Sequence, residues 1–244
     1  MNRLTASQFG RIARRKGNLD FQTSKMPAAC LVGIKEEINA KRAYIKFMQD
    51  TYNVDICIYD VGLCVPEWAP YLGASPDGVV VNKFDSSTKP WLLEVKCLYD
   101  THPTPRSIAQ IRLERGSSFY LKVVNGQYVL RKEHNYYAQV LGQMAITGIS
   151  FTHLAVYAPR VKELLVVPVH FNEQDWLNLK SKLDEVHCDQ TRVANGQVEM
   201  MDTSPMATEV AVMNTMASEV EDMDTSDNYV SMYDLLPHLS SIDI

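Results

Sequence analysis

An aspartate in Ser75-Pro76-Asp77-Gly78 and the trio Glu94-Val95-Lys96 are the residues whose types and spacing most readily carry chemistry. Leu92-Leu93-Glu94-Val95-Lys96-Cys97-Leu98 is apolar and branched, which predicts a buried strand. Alternate side chains of a strand share a face, so Glu94 and Lys96 point one way and Val95 points into the core. A carboxylate and an ammonium on one face of a core strand cost desolvation unless something uses them. The segment 73–81 reads as the neighbouring strand, and a hairpin through residues 82–90 brings Asp77 beside Glu94.

Two carboxylates and a lysine converging on a strand pair suit a hard divalent cation. Mg²⁺, with Mn²⁺ as its substitute, takes oxygen ligands and keeps several waters, so two carboxylates, a main-chain carbonyl and a substrate phosphate suffice. Without the cation, Asp77 and Glu94 repel, and one of them tends to hold a proton. The lysine can orient or deprotonate a water, or neutralise charge on a phosphate under attack. The competing reading makes Glu94–Lys96 a solvated pair on an edge strand and Asp77 a turn residue. On these residues alone both readings stay open.

Five segments in order bear a resemblance. Leu4-Thr5-Ala6-Ser7, Gly33-x-x-x-Glu37-x-x-Ala40-x-x-x-Tyr44, Ser75-Pro76-Asp77-Gly78, Glu94-Val95-Lys96 and Tyr136-Tyr137-Ala138-Gln139-Val140-x-Gly142-Gln143-Met144 are similar to motifs of the YqaJ-type viral recombinases, the lambda exonuclease family within the PD-(D/E)xK nucleases. The resemblance covers roughly residues 3 to 170. It implies a restriction-endonuclease-like α/β fold, a mixed sheet of about five strands flanked by helices. It also implies metal-dependent hydrolysis of DNA from duplex ends, 5′ to 3′, leaving a single strand for an annealing recombinase. On the same basis Asp77, Glu94 and the Val95 carbonyl hold the metal, Lys96 and Gln139 position the water, and Glu37 completes the cage. Glu36 is the alternative if the register slips. Leu141 stands where relatives have a second glutamine, so only Gln139 carries over. A homotrimer is a candidate assembly by resemblance alone. Two alternatives remain: an endonuclease or nickase on the same fold, and a DNA-binding module without catalysis.

The elements around these residues follow from pattern. Thr5 and Gln8 read as a capping box opening a helix whose basic face is Arg11, Arg14, Arg15 and Lys16. That N-terminus, with Ser7 and Arg3, is the expected seat of a terminal DNA phosphate. Relatives carry further residues ahead of Thr-Ala-Ser, and a start lacking part of that segment is one reading. Residues 17–27 read as a linker and 28–53 as a long helix carrying Glu37. Arg106, Arg112 and Arg115 are further candidate phosphate contacts in a loop or short helix over 101–116. Asn125-Gly126 signals a hairpin. Residues 134–147 read as a helix with Gln139 and Gln143 on one face, and His134 as its cap. Two strands, 151–157 and 164–171, precede a last helix ending near Cys188.

The net charge of −5 divides unevenly: residues 1–188 carry +5 and residues 189–244 carry −10. A mildly basic body is what an enzyme acting on a polyanion shows, though many soluble domains are as basic. The expected organisation is a nuclease domain over 1–188 and a disordered acidic tail over 189–244. Seven of the eleven methionines lie in that tail, among Ser, Thr and acids with no core-forming period. Five cysteines without C-x-x-C spacing argue against structural zinc. Their odd number without a signal peptide points to a reducing intracellular compartment, the nucleus if the source is eukaryotic. No segment has the apolar length of a membrane span.

Overall fold

The computed structural model describes residues 3–14 and 27–194. In chain order the elements are β1 (Leu4–Thr5), α1 (Ala6–Arg14), α2 (Ala28–Tyr52), β2 (Ile56–Tyr59), β3 (Leu72–Gly73), β4 (Gly78–Asn82), β5 (Trp91–Cys97), α3 (Ile108–Arg115), β6 (Leu121–Val124), β7 (Gln127–Leu130), α4 (Asn135–Thr147), β8 (Phe151–Ala158), β9 (Glu163–His170) and α5 (Glu173–Ala194). Five of the strands form one mixed sheet in the order β2-β4-β5-β8-β9, parallel only between β5 and β8. This is the expected α/β architecture. Strand β5 is central, and Trp91, Leu92, Leu93, Glu94 and Val95 are all buried. The edge-strand reading of Glu94 and Lys96 therefore does not hold.

Alternation along β5 divides its side chains between two helical layers. Trp91, Leu93 and Val95 join Ala40, Tyr44 and Met48 of α2 in one core cluster. Glu94 and Lys96 point the opposite way, toward α4. Helix α2 ends where Asn53 adopts left-handed backbone at φ 54° and its N–H closes onto the Gln49 carbonyl at 3.0 Å. Behind α4 lies α1, and their axes approach closely because Gly10 faces the Asn135 backbone and Gly142 faces the Phe9 ring. Trp176 of α5 closes over Phe9 with ring centroids 6.5 Å apart. The Asn125-Gly126 turn joins β6 to β7 with φ of 51° and 80°, which only a type I′ turn demands.

Two expectations change at element ends. Thr5 is the last residue of β1, paired in parallel with β3, and α1 starts at Ala6. Only the return half of the capping box forms, Thr5 N–H donating to Gln8 Oε1 at 3.4 Å. The full box sits at α3, where Ser107 and Gln110 cap each other. Helix α5 continues to Ala194, six residues past the expected boundary. Arg15, Lys16 and the tail from 195 onward lie outside the described residues. Among the described residues no helix is long and apolar enough to cross a membrane.

Candidate active site

Strand β4 begins at Gly78, opposite Leu93. One step earlier in the same register, Asp77 faces Glu94. The Val95 N–H, which has no β4 residue left to pair with, donates to Asp77 Oδ2 at 2.6 Å. The carbonyl of a strand residue points to the same edge as its N–H, so the Val95 oxygen looks out beside the Asp77 carboxylate. Burial pushes the Asp77 carboxyl up to about 7 and the Glu94 charge adds to it, while Lys96 and the Val95 amide pull the other way.

Glu94 is 1 % exposed and is surrounded by donors. Its Oε1 accepts from Lys96 Nζ at 2.5 Å and from Gln139 Nε2 at 2.6 Å. Its Oε2 accepts from Gln143 Nε2 at 2.7 Å. The Lys96 ammonium also lies over the Tyr136 ring, 4.5 Å from its centroid. Burial works against the charge on Lys96, and the adjacent Glu94 carboxylate outweighs burial, so its pKa stands above the ordinary value. Tyr136, Gln139 and Gln143 are three and four residues apart, which places them on one stripe of α4 facing β5. Gln143 and Tyr136 are the residues sequence reasoning passed over. The i, i+4 spacing of the two glutamines was the visible signal.

Glu37 does not join this cluster directly. It sits on α2, the layer behind Val95, with its carboxylate 2.8 Å from Lys41 Nζ. It is close enough to Asp77 to raise that carboxyl's pKa slightly. Glu36 instead accepts from Asn39 at 2.9 Å. Among the described residues no three His, Cys, Asp or Glu side chains form a cation cage by themselves. The oxygen donors that do meet are Asp77, Glu94 and the Val95 carbonyl, an all-oxygen set that fits Mg²⁺ or Mn²⁺ when waters and a phosphate complete the shell.

The basic corner is partly tied into the fold, while Arg3, Arg11 and Arg14 are all exposed. Arg3 Nε donates to the Pro70 carbonyl at 3.0 Å. Arg14 Nε donates to the Gly10 carbonyl at 3.1 Å, and its Nη1 reaches the Glu133 carbonyl. Ser7 is exposed, with its hydroxyl 3.3 Å from that of Thr5, and Arg11 is exposed. Because Thr5 pairs with Gly73, the start of α1 lies alongside the segment that leads to Asp77. Of the other arginines, Arg106 is bound by Asp100 and Glu114, and Arg115 donates to the Tyr99 carbonyl at 2.8 Å. Arg106 is held by two acids, whereas Arg115 is exposed beside its bond to Tyr99. His134 caps α4, accepting from the Tyr136 N–H at 3.1 Å.

Comparison with known proteins bears on the fold and the family. Among solved structures, the alkaline exonuclease LHK-Exo from Laribacter hongkongensis, in its complex with dAMP, is 18 % identical with a TM-score of 0.51, over 80 % of this chain and 94 % of that one. A phage-related exonuclease from Haemophilus somnus 129PT is 10 % identical with a TM-score of 0.53, over 80 % and 96 %. At these identities the likeness establishes a shared fold. No curated protein matches the sequence. A profile of the YqaJ-like viral recombinase domain matches residues 11–150, which takes in α2, the Asp77 and Glu94 strands and α4. The chain belongs to the YqaJ-like viral recombinase family.

Proposed function

We propose that this chain is a metal-dependent deoxyribonuclease that hydrolyses phosphodiester bonds from duplex ends in the 5′ to 3′ direction. The observation that carries the proposal is the meeting of Asp77 and Glu94 across β4 and β5, with Lys96 on the Glu94 carboxylate. Membership of the YqaJ-like family and a fold shared with proteins described as exonucleases support it. Asp77, Glu94 and the Val95 carbonyl are the groups to hold Mg²⁺ or Mn²⁺, which when bound neutralises the two acids and polarises a phosphate and a water.

The chain's own groups do the rest. Lys96 is held by Glu94 on one side and by the Tyr136 ring on the other, so its ammonium is aimed before substrate arrives. There it orients the attacking water and offsets charge building on the phosphate. Gln139 holds the Glu94 oxygen that Lys96 also uses. Glu37, half-exposed on α2, approaches the Asp77 side and draws Lys41 with it. The direction of digestion rests on the resemblance of the first motif. For it the exposed Ser7, Arg11 and the free N–H groups opening α1 are the groups to meet a terminal phosphate. An annealing recombinase as partner and a homotrimer belong to the same proposal, on resemblance.

The test is digestion of end-labelled linear and closed circular duplexes with and without Mg²⁺. Loss of label from linear DNA alone, abolished by EDTA and in Asp77→Ala and Lys96→Ala, is the expected result. Cutting of the closed circle makes it an endonuclease, and binding without any cleavage removes catalysis. A 5′-phosphorylated end should be used faster than a 5′-hydroxyl end, with the difference narrowed in Ser7→Ala.

A further inference from the structure

We propose that Gln143 is a positioning residue of this site. Its amide fixes the Glu94 carboxylate and ties it to the segment bearing Asp77, so the two acids are spaced for a cation before one arrives. The inference rests on reading Asp77 and Glu94 as a cation site. Gln143 is fully buried. Its Nε2 donates to Glu94 Oε2 at 2.7 Å and to the Ser75 carbonyl at 3.3 Å. Ser75 is two residues before Asp77 in the chain, so one amide joins β5 to the segment that leads into β4.

The chemistry of these partners leaves Gln143 little freedom. A carboxylate and a carbonyl only accept, so the amide cannot turn its oxygen toward them, and both of its N–H bonds are committed. The opposite end, Oε1, is buried and meets no donor among the described residues. A side chain chosen for packing alone would not carry that polar atom into the core. The two glutamines of α4 are also unequal. Gln139 shares its acceptor, Glu94 Oε1, with Lys96, whereas among the described residues Gln143 alone donates to Oε2. Without Gln143 that oxygen is buried without a donor, and the carboxylate is held through Oε1 alone on a soft terminal torsion.

Two variants test this. Gln143→Met keeps the volume and removes the donors. Gln143→Asn keeps an amide but withdraws it by one methylene. The readouts are Mn²⁺ affinity of the DNA-free protein by isothermal titration calorimetry, kcat and KM on end-labelled duplex, and circular dichroism with a thermal midpoint. Outer groups that orient metal ligands typically set about 10- to 100-fold in metal affinity or activity. We expect a Mn²⁺ affinity loss of that size in either variant and a matching fall in kcat, with KM for DNA unchanged and the folded spectrum retained. A purely structural role lowers the thermal midpoint and leaves Mn²⁺ affinity of the folded protein as in wild type, which overturns the proposal. If Asp77→Ala binds Mn²⁺ as tightly as wild type, the cation-site reading itself fails, and the role of Gln143 falls with it.

Discussion

At the scale of single residues, the site is a set of charges that the fold leaves incompletely balanced. Asp77 shows this most directly, because its pKa stands near 7 in the folded chain against 3.8 for an ordinary aspartate. The folded state therefore holds the proton more tightly than the unfolded state does. Asp77 contributes most to stability below about pH 4 and loses that contribution as pH rises toward 7. In EDTA, the thermal midpoint of wild type should fall by several degrees relative to Asp77→Asn between pH 4.5 and 7.5. Millimolar Mn²⁺ should close that gap, because binding replaces the proton; a gap unaffected by Mn²⁺ removes Asp77 from the cation site. Tyr136 gives a second test. A cation over an aromatic face is stabilised by roughly 0.5–2 kcal/mol. Tyr136→Phe should keep kcat within about twofold, and Tyr136→Leu should lower it about three- to tenfold, a cation–π contact being lost only in the second.

At the scale of elements, two contacts set where the helices stand on the sheet. Behind β5, Trp91 Nε1 donates to the Tyr44 hydroxyl at 2.8 Å, and that hydroxyl is 2.6 Å from His153 Nδ1. The tyrosine oxygen accepts from Trp91 and shares a hydrogen bond with His153, and this chain joins α2, β5 and β8. Burial, followed by the His170 charge, lowers the His153 pKa to about 4. The unfolded chain then takes up a proton that the folded chain refuses, so stability is full above about 6.5 and is lost as pH falls toward 4. Thermal unfolding at pH 7.5 and pH 5 should show a loss of several degrees in wild type and a smaller loss in His153→Phe, measured as the difference between the two pH values. On the other face, α4 can carry its stripe to β5 only because α1 backs it closely. A Cβ at Gly10 would stand 2.7 Å from the Asn135 Cα, a backbone atom that cannot step aside. Gly10→Ala should destabilise by about 1–3 kcal/mol in urea unfolding, with activity lost in proportion as α4 shifts.

At the scale of the whole molecule, charge is the property to test. Residues 195–244 hold ten acids and no Lys or Arg, so removing them changes the net charge from −5 to +5. A chain ending at Ala194 should fold with an unchanged thermal midpoint. It should bind duplex DNA roughly three- to tenfold tighter at low salt, with the difference vanishing near 0.5 M salt as long-range repulsion is screened. Fluorescence anisotropy over a salt series measures both. An unfolded truncation places part of the segment in the core.

Local pattern was enough to read most helices and the central strands, though not the short β1–β3 pair, and it was enough to bring Asp77 to Glu94. Hairpin pairing is short-range: the register from Gly78 opposite Leu93 follows from the length of one turn, and alternation decides that Glu94 and Lys96 share a face. The helix over α4 and the cap at His134 were likewise written in a few neighbouring residues. What sits across from a given face is not. That β5 is central and not an edge depends on β8, which joins it in parallel from more than fifty residues away. That Glu37 stands behind Val95, while Gln143 stands against Glu94, depends on which layer each helix takes. The same holds for the arginines, since a carbonyl at Pro70 or Glu133 that claims a guanidinium is invisible to any local reading. Residue type and spacing determined which groups could do chemistry here. Packing across the sheet decided which of them meet, because hydrogen bonds and burial act between neighbours in space, whatever their separation along the chain.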